Sequence, residues 1–337
     1  MLLKDKKIKV GFSIGDLNGI GGELIVKTLQ DKRLLELCTP VIYASSKMIS
    51  FLAAYFETPF QFNGIQKVQS ALPSKINVLD VWEETVSIKF GEPTSESGRY
   101  AILSLEAAVQ DLKSAVIDVL VTPPINKHNI QSDTFQFPGH TDYLNQQLEG
   151  DSLMFMISDK LRIGLLTDHL PIAEVASQIT EALICKKVEI IHHSLKYDFG
   201  ISNPKIAVLG LNPHSGDNGV IGLEDDRVLK PAIQRLKDGG KLVHGPYAAD
   251  SFFGSDGYKN FDAIVAAYHD QGLIPFKTLT FGSGVNFTAG LKSIRTSPDH
   301  GTAYEIAGQG IANTDSFKEA ILSAVEIYKQ RMLNQSF

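Results

Sequence analysis

Residues 261–277 read FDAIVAAYHDQGLIPFK: an apolar run that stops abruptly on an imidazole, a carboxylate and an amide. Ile264, Val265, Ala266 and Ala267 make a continuous apolar stretch of strand length. Such a stretch marks a strand covered on both faces, which is how strands sit in parallel sheets flanked by helices. Tyr268, His269, Asp270, Gln271 and Gly272 come at once after it. In parallel α/β sheets ligands gather beyond the carboxyl ends of the strands, so polar residues crowded at a strand's exit mark a place for chemistry.

The same alternation runs through the chain. Strand-length apolar runs are read at 8–14, 40–45, 76–81, 115–122, 152–158, 162–167, 205–211, 241–247 and 263–268. Between them lie segments with helical spacing, notably 22–38, 98–115, 181–198 and 315–333, the last opening on an Asp suited to an N-cap. The pattern predicts an α/β protein with mainly parallel sheets. At 337 residues the chain exceeds what one core comfortably holds, so two domains are expected.

Thirty-two basic against thirty-eight acidic residues, with no block of like charge, exclude a nucleic-acid footprint or a membrane-surface patch and leave small molecules as the expected partners. Cys38 and Cys185 lie far apart in segments read as helix or helix end, with no Cys-x-x-Cys pair, which argues against a disulfide frame or a zinc ribbon. The opening MLLKDKKIKVGFSIG lacks the apolar core and cleavage site of a secretory signal, and no run approaches ~20 apolar residues. A cytoplasmic setting is expected.

Four strand exits carry histidine. VLVTPPINKHNIQSDTFQFPGHTDYL leads to His140, Thr141 and Asp142; RIGLLTDHLP ends on Asp168 and His169; AVLGLNPHSGDNG on Asn212 and His214; AIVAAYHDQG on His269 and Asp270. The last three share one grammar of apolar strand, polar residue or two, then imidazole. If their strands share a sheet the exits converge, and three neutral imidazoles suit a divalent first-row metal with positions open to substrate. Asp168 and Asp270 would orient those ligands or add oxygen donors. Taken singly, each imidazole also fits a loop cap. His140 and Thr141, after FPG, suit anion binding at a loop–helix junction or a simple cap by Thr141. Lys277, Asn286 and Arg295 fall in a Gly/Ser/Thr-rich segment that reads as loops folding over a ligand, with cations and an amide suited to phosphate or carboxylate. His128, His192, His193 and His244 lack such context and read as surface or structural. Neither the Gly-x-Gly-x-x-Gly fingerprint nor the phosphate loop occurs, and the glycine-rich turn GDLNGIGGELIVKTL at 15–29 fits neither template.

The blocks GDLNGIGGE, VTPPINK, FPGHTDYL, LLTDHLP, LGLNPHSGDNG, GPYAADSFF, YHDQGLIPFK and GVNFTAGLKSIRTSPDHGTAYEIAG resemble, in order, those of the 4-hydroxythreonine-4-phosphate dehydrogenase family of pyridoxal phosphate biosynthesis. DHGTAYEIAG with GQGIAN is also similar to the adenosine loop of isocitrate and isopropylmalate dehydrogenases.

The resemblance implies two α/β/α domains, 1–130 with 278–337 and 131–277, and an active site in the cleft between them. It implies NAD or NADP at His300, Gly301, Thr302 and Ala303. His169, His214 and His269 match the metal ligands, for Zn2+ or else Mg2+ or Co2+, and His140, Thr141, Lys277, Asn286 and Arg295 match the substrate-binding positions. Asp250 and Asp270 are candidates for moving a proton or orienting a ligand.

A homodimer completing the metal site across its interface is implied as well. The implied reaction oxidises 4-phosphooxy-L-threonine at C3 to an oxo acid that loses carbon dioxide. A related dehydrogenase of another phosphorylated hydroxy acid, or a lyase, hydrolase or binding protein on the same scaffold, are the alternatives. The first block departs from the usual Gly-Asp-Pro-Ala-Gly-Ile-Gly-Pro-Glu by losing both prolines, at Leu17 and Gly22, and Gly216-Asp217-Asn218-Gly219 replaces a Gly-Glu-Gly-Gly.

Overall fold

A computed structural model describes residues 7–335. Twelve strands are found among them: β1 (Ile8–Phe12), β2 (Cys38–Ala44), β3 (Asn63–Ile65), β4 (Asn77–Asp80), β5 (Val119–Val121), β6 (Gly150–Ile157), β7 (Arg162–Leu165), β8 (Lys205–Leu209), β9 (Leu242–Tyr247), β10 (Ala263–Ala266), β11 (Val285–Leu291) and β12 (Ile294–Pro298). All nine expected strands are present.

The chain divides into two units. One gathers residues up to Gly150 with Leu291–Lys329, the other Asp151–Gly290 with the chain from Gln330 onward. In the first the strands run β3-β4-β2-β1-β5-β12, every pairing between neighbours parallel. In the second the order is β11-β6-β7-β10-β8-β9, with β7-β10, β10-β8 and β8-β9 parallel and β6-β7 antiparallel.

The crossings at 150 and 290 fall later in the chain than the expected breaks at 130 and 278. Packing gives the reason for the first: Tyr143, Leu144 and Leu148 share a core cluster with Leu105, Val109 and Leu112 from the helix Ser95–Lys113. The helix His140–Gln147 is thereby held in the first unit. The second unit has its own cluster, in which Ile163, Leu165, Ala207, Leu209, Ile264 and Ala266 of β7, β8 and β10 meet Leu273 and Phe276 of the helix His269–Thr280.

Three strands were not expected, and two of them correct the reading of the Gly/Ser/Thr-rich segment as loops. In β11, Val285, Phe287, Ala289 and Leu291 are buried at period two. Every residue of β12 is buried, although Arg295, Thr296 and Ser297 are polar. A polar strand leaves no apolar run to read. It survives burial because its side chains are partnered: Thr296 Oγ1 donates to Ala320 O at 2.7 Å, and Arg295 Nε and Nη2 donate to Thr122 Oγ1 at 2.9 and 2.6 Å.

The expected helix over 22–38 breaks in two, Gly21–Leu29 and Lys32–Leu37, because Asp31 caps the second by accepting the Arg33 amide. Cys38 therefore opens β2, and both cysteines are free. Asp315 is not an N-cap: it lies inside the first turn of Asp315–Gln335, and its amide donates to Asn313 Oδ1 at 2.7 Å. Among the described residues no helix is long and apolar enough to cross a membrane.

Candidate functional site

Three of the expected histidines leave three neighbouring strands of the second unit. Parallel pairing carries β7 and β10 out together: Leu166 and Thr167 donate their amides to Ala266 O and Ala267 O at 2.9 and 3.2 Å, and Thr167 Oγ1 adds a bond to Ala267 O at 2.8 Å. Both chains then turn with their imidazoles side by side. The ring centroids of His169 and His269 are 5.9 Å apart and tilted by 38°. Two imidazoles on one zinc ion, each nitrogen about 2 Å from it, place their centroids roughly 5–6 Å apart. A pocket of about 430 Å³ opens here, lined by Asp168, His169, Tyr268, His269 and Asp270 with Leu170 and Ile172.

His269 begins the helix after β10, and its Nδ1 lies 2.7 Å from Asp270 Oδ1. A proton held on Nδ1 by that carboxylate leaves the Nε2 lone pair for a ligand, the arrangement by which carboxylates orient metal-binding imidazoles. His214 leaves β8, the strand on the other side of β10. Its loop is anchored by the buried Asp225, which accepts the Leu211 and Asn212 amides at 2.8 and 3.0 Å and Asn212 Nδ2 at 3.0 Å. Beyond it, His214, Ser215, Asp217 and Asn218 all take positive φ, between 43° and 53°. Side chains held in that region cost energy unless the surroundings impose it, and such strain concentrates where a site is built.

The expected three-histidine set does not close within one chain: among the described residues no three His, Cys, Asp or Glu side chains converge on one point. The donors that do meet, His169 and the carboxylate-oriented His269, are of the right chemistry for a divalent ion. Asp250 sits beyond β9 in the first turn of Ala249–Gly254, exposed and bonded to Ser251 Oγ at 3.3 Å. Lys277 is exposed in the last turn of His269–Thr280. Asn286, on β11, has its Oδ1 sealed from solvent without a hydrogen-bond partner.

The first unit holds the remaining candidates. Arg295 lies on β12 opposite Leu120 of β5, only 2% exposed, and burial brings its pKa down to about 9. His140 is the first residue of its helix, so Thr141 falls inside the first turn and caps nothing. The Nε2 of His140 is sealed and unpartnered. Burial, then the positive charges of Arg295 and Lys127, depress its pKa well below the usual histidine value. A neutral imidazole with an idle nitrogen near a buried guanidinium is suited to an anionic ligand, which would use both.

His300 has a sealed, unpartnered Nε2 as well, while its Nδ1 lies 3.1 Å from Gly301 O. A Cβ built on Gly301 would meet nothing within 4 Å. Open space beside an idle donor or acceptor is compatible with a nucleotide at this loop.

Sequence reasoning missed the groups that hold the candidates in place. Gln271 accepts the Ala267 amide on Oε1 and donates from Nε2 to Gly210 O, both at 2.7 Å. Apart from the candidates, the fully buried Asp16 accepts from Asn18 N at 2.9 Å, Ser97 Oγ at 3.2 Å and Asn129 Nδ2 at 2.6 Å. Gln271 stood in the quoted run as the amide after His-Asp; Thr122 and Asp225 gave no signal short of a fold.

Comparison with known proteins completes the picture. Residues 36–324 match the family model described as pyridoxal phosphate biosynthetic protein PdxA. The 4-hydroxythreonine-4-phosphate dehydrogenase of Bacteroides thetaiotaomicron is 45% identical over 331 residues, covering 98% of this chain and 91% of that protein. The D-threonate 4-phosphate dehydrogenase of Cupriavidus necator is 35% identical over 327 residues, 96% of this chain and 98% of that one. A solved structure of 4-hydroxythreonine-4-phosphate dehydrogenase from Klebsiella pneumoniae superposes with a TM-score of 0.82 at 31% identity, covering 96% of this chain and 98% of that one.

Proposed function

The chain belongs to the family of the pyridoxal phosphate biosynthetic protein PdxA, and on that premise we propose that it is a cytoplasmic, NAD- or NADP-dependent dehydrogenase of 4-phosphooxy-L-threonine. The C3 alcohol loses its hydride to the nicotinamide and its proton to a base. The product, 2-amino-3-oxo-4-phosphooxybutanoate, is a β-oxo acid that releases carbon dioxide to leave 3-amino-2-oxopropyl phosphate.

The observation that carries this reading is the pair His169 and His269 at 5.9 Å, with His269 oriented by Asp270. With His214 they would hold a divalent ion, Zn2+ first and Mg2+ or Co2+ as alternatives, the set being completed by a second copy of the chain in a homodimer. Such an ion supplies Lewis acidity, which favours loss of the alcohol proton and accommodates charge on oxygen.

The chain's own side chains do the rest. Asp270 keeps the His269 Nδ1 proton in place, and Gln271 fixes the strand exit from which His269 projects. Arg295, Lys277 and the His140-Thr141 pair take the phosphate and carboxylate, Asn286 adds a neutral hydrogen bond, and residues 300–303 take the nucleotide. His140, held neutral, accepts or donates at Nε2 without adding a second charge beside Arg295. Asp250, exposed at the neighbouring exit, is the candidate to move the proton.

The 35% identity to a D-threonate 4-phosphate dehydrogenase supports a second reading, in which a hydroxyl replaces the substrate's amino group. One assay separates them: NAD(P)H formation with 4-phosphooxy-L-threonine against D-threonate 4-phosphate, in wild type and His214→Ala. Preference for the amino substrate and loss of turnover in His214→Ala are expected. Near-native activity of that variant in chelator-treated buffer would exclude the metal reading.

A further inference from the structure

The turn at residues 15–23 has the glycine content of a phosphate-binding turn, yet two of the amides that lead into its helix are already used. Gly19 N donates to Asp16 O at 3.2 Å, and Ile20 N, at the helix mouth where an anion would otherwise sit, donates to Thr302 O at 3.0 Å. We propose that this turn and its helix, through Gly19, Glu23 and Lys27, are the seat that sets the shape of the 300–312 loop, and so are positioning residues for the dinucleotide. The proposal rests on the reading that this loop takes NAD or NADP.

Three separate contacts define the seat, all within the first unit. At Thr302 the fit is steric as well as polar: a Cβ on Gly19 would come within 2.9 Å of Thr302 O and 3.1 Å of its Cβ. Further along, Glu23 Oε1 accepts the Ala312 amide at 2.9 Å and Lys27 Nζ at 2.7 Å. Lys27 Nζ in turn donates to Gly310 O at 2.5 Å. Glu23 is 1% exposed and its Oε2 has no partner. A carboxylate is thus kept buried, at a desolvation cost, where it grips the loop's far end. The loop needs an external mould, because its only helical turn is Tyr304–Ile306 and it passes through positive φ at Ala303, Gly308 and Gly310.

The seat bears on the sites a nucleotide would use. Thr302 adjoins Gly301 and His300, whose Nε2 is idle. A loop displaced by a few tenths of an ångström at Thr302 and freed at Gly310 and Ala312 loses preorganisation for its ligand, which appears as weaker binding of the dinucleotide and not of the phosphorylated substrate.

The test is calorimetric titration of NAD and of NADP into purified wild type, Gly19→Ala, Lys27→Met and Lys27→Arg, with steady-state kinetics on each. Gly19→Ala and Lys27→Met are expected to raise the dinucleotide Kd about tenfold or more, ~1.4 kcal/mol. The substrate KM and kcat at saturating dinucleotide should stay within about twofold, and Lys27→Arg should recover most of the affinity. Tyr328→Phe, which removes a 3.0 Å bond to Asp118 elsewhere in the same unit, should lower Tm and leave Kd unchanged, separating positioning from general stability. Unchanged Kd in Gly19→Ala and Lys27→Met beside a binding wild type overturns this proposal alone. Wild type that binds neither NAD nor NADP overturns the cofactor reading and this proposal with it. Should Lys27→Met not fold, Gly19→Ala against wild type decides the proposal by itself.

Discussion

Gln271 donates its side-chain Nε2 to the carbonyl of Gly210 at 2.7 Å, tying the exit of β10 to the exit of β8. Its Oε1 meanwhile accepts the amide of Ala267 at 2.7 Å. The amide placed just after His-Asp in the sequence is therefore a brace between the strand that presents His269 and the strand that leads to His214. Gln271→Leu fills similar volume but leaves a carbonyl and an amide without partners, at ~1–3 kcal/mol for each group that water cannot reach. A fall in urea-unfolding stability of that order is expected. Zn2+ affinity, read by competition with a chelating dye, should drop about 10- to 100-fold as the exits loosen. Unchanged metal affinity despite lower stability would make the brace purely structural.

Asp270 separates orientation from stability more cleanly, because its side chain is 70% exposed and pairs with the Nδ1 of His269. Asp270→Asn keeps the shape and removes the charge. Stability should move by less than ~0.5 kcal/mol, as for exposed pairs in general. Metal affinity and kcat should fall together by about tenfold or more. The same chelator competition, run beside a thermal melt, decides it.

His140 predicts a pH dependence. Its folded-state pKa is depressed well below 6.5 by burial and by the nearby charges of Arg295 and Lys127, whereas in the unfolded chain it titrates near that ordinary value. As pH falls below ~6.5 the unfolded state takes up a proton that the folded state refuses, so acidification destabilises the fold. The slope from this one group reaches at most ~1.4 kcal/mol per pH unit. His140→Gln removes it. The difference in unfolding free energy between wild type and variant should be flat above neutrality and should shift in the variant's favour from pH 6.5 downwards. A pH-independent difference would mean that His140 takes up its proton as readily in the fold as in the unfolded chain.

How far the fold and the site are legible in the sequence depends on what kind of residue carries the information. Strands that carry an apolar run can be read from it, so nine were readable, most of them parallel, and the histidines stood out as breaks in those runs. β12 was not readable, because Arg295, Thr296 and Ser297 are buried by partners, Thr122 and Ala320 among them, that lie far away in sequence. The break at Asp31 was invisible for a related reason: a cap is one residue, and the apolar spacing runs through it. Of the candidate site, the imidazoles announced themselves by position, whereas Gln271, Thr122 and Asp225 act only through groups brought near by folding.

Two glycines in helices should respond to an added methyl group in opposite directions, and the first of them tests the packing around Asp16. Gly98, in the first turn of Ser95–Lys113, would place a Cβ 2.1 Å from the carbonyl oxygen of Asn129 and 2.6 Å from its carbon. Those are backbone atoms that cannot rotate away. Asn129 is also a donor to the buried Asp16 carboxylate, at 2.6 Å, so moving it strips a charge-assisted bond from a group with no access to water. Gly98→Ala should destabilise by ~2–4 kcal/mol, the sum of overpacking and a weakened buried hydrogen bond. Gly254, at the end of Ala249–Gly254, meets nothing within 4 Å and needs no positive φ. There the methyl group only narrows the unfolded ensemble, and Gly254→Ala should stabilise by ~0.4–1 kcal/mol. Urea titrations of the two variants should therefore move in opposite directions; a Gly98→Ala midpoint equal to wild type would mean that the Asn129 segment gives way freely, and that the Asp16 network does not depend on it.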